Sequence, residues 1–206
     1  NRFQQYLADM SMEGFIEMYS LPDCTPKFQS GTNPDYYYSI EESVVILNRL
    51  LRFQFEDDEE QIFKFLTNLW QVINRECPKL NTFILVSILS SAGKNYFLNP
   101  FLAIQLNVGV IPDLTREAGR FALDNLHGRR AAEWNEPYYE DDKFNMLKKV
   151  LGGDPFTTEL KHKEKVIIQR LPVFIMANAV PDFARSGYFR DRIVMYTWVE
   201  CPFLKE

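Results

Sequence analysis

Residues 82–89 (TFILVSIL) restrict the fold of this 206-residue chain more than any other stretch. The run is short, apolar and rich in β-branched side chains. That predicts a strand buried on both faces, as in a parallel sheet. Gly93 and Lys94 come next, where such a strand meets a helix. The phosphate-loop pattern is G-x-x-x-x-G-K-[ST]. Here Ile88 stands at the first glycine and Asn95 at the Ser/Thr. The match is damaged, and taken alone the stretch reads more readily as a turn that contains Gly-Lys.

Other runs share the strand character: residues 166–168, 173–176 and 193–199. Helical stretches separate them, residues 96–108 among these. The alternation predicts an α/β domain with a mostly parallel central sheet. A small helical unit precedes it. Residues 1–19 read as one short helix, and Pro22, Pro26, Gly31 and Pro34 keep residues 20–38 from extending it. Ser39-Ile40-Glu41-Glu42 fits a capping box, with Val44, Leu47 and Leu51 at helical spacing behind it. The acidic residues 56–60 suit the start of a second helix. Ile62, Leu66, Leu69 and Ile73 give that helix its apolar stripe, and Pro78 closes it. The expected division is residues 1–78 for the helical region and 79–206 for the α/β core.

Composition removes several chemistries. Three scattered cysteines form neither a zinc knuckle nor a disulfide framework. Two histidines, His127 and His162, are too few for a multi-histidine metal site. No apolar run reaches the ~18 residues of a membrane span, so no membrane partner is expected. The net charge is -5, yet residues 143–170 hold seven Lys or Arg against three Asp or Glu. That local excess is a candidate phosphate-backbone contact. The chain begins with Asn1 rather than Met, as expected of a piece of something longer.

If the loop holds a nucleotide, a carboxylate at a second strand end should orient water, and a polar group should sense the γ-phosphate. Glu136 in Trp134-Asn135-Glu136-Pro137 and Asn178 after residues 172–177 meet these needs. Arg192, just before the last strand, is a cation able to approach a nucleotide. With Cys77-Pro78-Lys79-Leu80-Asn81-Thr82 ahead of the loop, Leu151-Gly152-Gly153-Asp154-Pro155, Arg170-Leu171-Pro172-Val173, and Tyr196-Thr197-Trp198 near the end, the order becomes familiar. From about Ser39 onward the chain resembles the superfamily 3 helicase domain of parvovirus replication proteins, most nearly the insect densovirus form.

The resemblance implies an AAA+-like P-loop ATPase that hydrolyses ATP with Mg²⁺ between the subunits of a hexameric ring. It implies movement along single-stranded DNA and work in the host nucleus. By position, Ser91, Ala92, Gly93, Lys94 and Asn95 would bind ATP. Asn95, Asn135 and Glu136 would lie at the metal. Glu136 would be the general base, Asn178 the sensor, and Arg192 the finger offered to a neighbour. Lys161, His162 and Lys163 would grip single-stranded DNA from a hairpin. The chain also departs from the pattern: Ile88 replaces glycine, Leu89 and Ser90 stand where prolines are usual, Arg130 and Glu133 interrupt an apolar strand, and Pro100 falls within a helix. These departures fit a drifted copy, either a divergent virus or a viral fragment resident in a host genome. The alternative function is therefore a folded relic that binds DNA or its own copies without useful hydrolysis. A metabolic P-loop kinase is disfavoured by the basic hairpin and the placing of Asn178 and Arg192.

Overall fold

The computed structural model describes residues 2–24, 38–117, 121–159 and 165–204. Two helices, α1 (Arg2–Asp9) and α2 (Met12–Tyr19), stand where one was expected. Ser11 makes the break. Its Oγ accepts the Gly14 N–H at 3.2 Å, and the neighbouring Met12 N–H donates to the Asn74 side chain at 3.0 Å. A serine able to cap a new helix competes with continuing the old one. The expected capping box opens α3 (Ile40–Gln54): Ser39 and Glu42 each accept the other's backbone N–H. Asp58 caps α4 (Glu59–Asn74) by accepting the N–H groups of Glu60 and Gln61. That helix stops at Arg75, left-handed at φ 60, before Pro78 is reached.

The α/β layer comes next: β1 (Thr82–Val86), α5 (Lys94–Ala103), β2 (Val108–Val110), β3 (Ala131–Asn135), α6 (Phe144–Gly152), β4 (Phe156–Glu159), β5 (Lys165–Ile168), β6 (Val173–Ala177) and β7 (Ile193–Thr197). Five strands form one sheet in the order β2-β3-β6-β1-β7, and every pairing in it is parallel. Val108 belongs to a strand rather than to the expected helix. The helix ends at Ala103, Leu106 turns the chain at φ 59, and two β-branched valines then extend along β3. Residues 166–168 are a strand as expected, but not of the main sheet. They lie in β5, which pairs antiparallel with β4 as a separate hairpin. Lys161, His162 and Lys163 fall between these two strands, outside the described residues.

Alternation along each strand divides the core in two. Phe83, Leu85, Phe174 and Met176 face the helices of the first third, with Phe65 of α4 among them. Ile84, Val86, Val173 and Ile175 face α6 and the segment between β6 and β7, with Trp134 buried there against Phe183. The misfit Arg130 sits just before β3 and is 2% exposed. Its Nε donates to the Met10 carbonyl and its Nη2 to the Ile73 carbonyl, both at 2.6 Å. Burial, then the nearby Arg75, push its pKa down to about 9, so it remains charged at neutral pH. The arginine thus fastens the α1–α2 corner and the end of α4 to the start of β3. Pro100 lies inside α5, which runs through it. Among the described residues no helix is long and apolar enough to cross a membrane.

Candidate nucleotide site

The loop between β1 and α5 rises from the carboxyl end of β1, an interior strand of the sheet, and delivers Lys94 as the first residue of a helix. Gly93 precedes it with φ 87 and offers no side-chain cap. The first N–H groups of α5 are therefore left for an anion. Gly93 is needed twice over: an L side chain resists its φ, and a Cβ there would lie 2.8 Å from both Leu50 and Leu204. The left-handed turns fall at Ser91 (φ 61) and Gly93, not at Ile88. A β-branched residue in place of the first glycine thus carries no backbone strain.

Lys94 is 8% exposed, yet it lines an open cleft of about 960 Å³. Its Nζ donates to the carbonyls of Ser87 at 3.3 Å and Ala177 at 2.8 Å, and to Asn178 Oδ1 at 2.8 Å. Burial lowers its pKa, while Glu136 pulls the other way. Asn178 is also tied to Glu136, its backbone N–H donating to Oε2 at 3.0 Å. Glu136 itself holds a left-handed φ of 48 at the end of β3. Such conformations in non-glycine residues gather at functional sites. Three positions read from separate parts of the sequence therefore meet in one chain, Lys94–Asn178–Glu136, over the carboxyl ends of β1, β6 and β3. That is where open parallel sheets bind ligands.

Asn95 and Asn135 are exposed and line the same cleft. Among the described residues, no group of three or more His, Cys, Asp or Glu gathers to hold a metal ion. The set Asn95, Asn135 and Glu136 offers one carboxylate and two amides, which fits Mg²⁺ shared with phosphate oxygens better than a closed protein cage. Arg192 is not at the cleft. It immediately precedes β7 at the opposite end of the sheet, where its carbonyl accepts the Asn81 and Thr82 N–H groups.

The far wall of the cleft escaped sequence reasoning. Tyr38, Ile46, Arg49, Phe203 and Leu204 complete it. Arg49 lies 4.0 Å above the Phe203 ring. Arg49, on an ordinary helix, carries no signal in the sequence. Gln54 fixes this wall, donating to the Ala92 and Val199 carbonyls at 3.1 and 2.8 Å and accepting the Val199 N–H at 2.8 Å.

No family model matches the chain. Over 170 residues it is 39% identical to the initiator protein NS1 of Junonia coenia densovirus, covering 82% of this chain and 31% of that protein. The initiator protein NS1 of Bombyx mori densovirus is 37% identical over 178 residues, with 82% of this chain and 20% of that protein covered. The chain thus spans less than a third of the curated relatives it matches. Among solved structures, a JCV helicase superposes with a TM-score of 0.60 at 13% identity, over 99% of this chain and 57% of that one. The NrS-1 C-terminal region gives 0.53 at 17% identity, over 78% and 39%. The chain is therefore a relative of one segment of the densovirus NS1 initiator proteins, built on the AAA+-like fold of the superfamily 3 viral helicases.

Proposed function

We propose that the chain is the ATP-hydrolysing helicase domain of a replication initiator, acting on single-stranded DNA as a ring of its own copies. The observation that carries this is Lys94. A cation nine-tenths buried, satisfied only by neutral oxygens and open to a cleft at a helix N-terminus, is built to receive phosphate. In this reading Lys94 exchanges its contacts for β- and γ-phosphate oxygens. The N–H groups of Ser91, Ala92, Gly93 and Lys94 cradle the phosphates. Asn95, Asn135 and Glu136 are the residues on hand for Mg²⁺, which when bound screens the phosphate charge. Glu136 takes the proton of the attacking water, and Asn178, bonded to both Lys94 and Glu136, registers whether the γ-phosphate is present. Arg192 belongs to the site of a neighbouring copy. Lys161, His162 and Lys163 contact the DNA backbone.

Titration with Mg-ATP beside Lys94→Ala tests this reading. Saturable binding that the substitution abolishes is the expected result. A folded wild-type protein that binds no Mg-ATP would leave the second reading, a helicase fold retained for DNA or self-association alone.

A further inference from the structure

Arg192 is too far from its own cleft to serve it. Between them lies β1, about 13 Å of strand, and the loop beyond it. The guanidinium is nevertheless held in place. Its Nη1 donates to the Lys148 carbonyl at 2.6 Å and to Asp154 Oδ2 at 3.1 Å. The Lys148 carbonyl belongs to the last turns of α6, the negative end of that helix. The side chain crosses Gly152 so closely that a Cβ there would lie 2.1 Å from Nη1 and 2.9 Å from Cζ. Only glycine leaves room for it. Nε and Nη2 have no hydrogen-bond partner among the described residues, and neither is a sealed, unpaired atom. With the side chain 29% exposed, that edge of the fork keeps access to solvent. The Gly-Gly-Asp stretch and Arg192, separate motifs in the sequence, form one device.

We propose that Gly152 and Asp154 are positioning residues for a cation delivered in trans. They fix one nitrogen of Arg192 so that its Nε–Nη2 edge is presented to the γ-phosphate oxygens of a nucleotide held by Lys94 of a neighbouring copy. The proposal rests on the nucleotide reading of the cleft. The chemistry is matched: the planar fork of arginine pairs with two oxygens of a phosphate at once. A guanidinium already held surrenders less side-chain freedom when it does so. Asp154 engages the nitrogen away from that edge, so its carboxylate need not leave.

Mixing chains of two kinds tests it. Asp154→Ala is the first, because Asp154 is 56% exposed and its truncation leaves the core intact. Alone it should bind Mg-ATP as the wild type does, with kcat about 10- to 100-fold lower, the scale of a misplaced catalytic group. Lys94→Ala is the second; it should bind no nucleotide but carry a complete Arg192. Mixed at equal concentration, the two should hydrolyse ATP well above the mean of the separate preparations. Cleft and cation then come from different copies. Wild-type kcat in Asp154→Ala, or a mixture no better than that mean, overturns the proposal. Retained Mg-ATP binding in Lys94→Ala overturns the nucleotide reading and the proposal with it; binding is measured before mixing, which tells the two failures apart. Asp154→Asn, which can still accept from Nη1, should recover most of the lost kcat; no recovery also counts against the proposal.

Discussion

Lys94 keeps its charge beside three neutral oxygens, and among the described residues no carboxylate touches it. Burial lowers its pKa, so in the free protein its proton is lost at lower pH than from an ordinary lysine. Phosphate binds the charged form. Mg-ATP affinity should therefore be full below that lowered pKa and fall as pH rises through it, with proton uptake on binding in the alkaline range. Calorimetry in two buffers of different ionisation enthalpy measures that uptake; none on approaching the lysine range would count against Lys94 as the phosphate ligand. Arg130 is the opposite kind of buried cation, spent on structure. Arg130→Met leaves the Met10 and Ile73 carbonyls without a donor and should destabilise the fold by about 2–4 kcal/mol in denaturant melts. Lys94, Glu136 and Asn178 were legible because their chemistry fixes residue type and order along the chain. Arg130 was not, because a charge facing carbonyls brought together from distant segments leaves no local pattern.

The elements were legible where their signals are local. The capping box at Ser39, the acidic start at Asp58 and the buried run of β1 each carry their cause within a few residues. The short strand β2 was missed because three residues around a glycine hold no period of their own and are fixed by β3. Likewise nothing in residues 166–168 says which strand they pair with. The cleft wall depends on α3 through Gln54, whose bonds reach both the loop and the segment after β7. Gln54→Ala should loosen that junction by about 1–3 kcal/mol. It should raise the Kd for Mg-ATP several-fold without touching the nucleotide, as direct titration would show.

Over the whole chain the charge is -5, so the proposed DNA contact calls for a local basic surface. The affinity of single-stranded DNA should fall with salt by a slope near 0.7 per phosphate contact, and replacing both Lys161 and Lys163 with Ala should lower that slope by about 1.4. An unchanged slope would move the contact elsewhere. The sheet carries one more consequence, in time rather than in space. Its strand β1 is flanked by β6 and β7, whose partner residues come about 90 and 110 positions later in the chain. While the chain is being made, β1 has neither neighbour until residues 173–177 have emerged. Its two edges wait that long for a partner, which is when such intermediates are open to aggregation. Lys94 meets Asn178 only after β6 has formed beside β1. The cleft is thus assembled only once β6 stands beside β1.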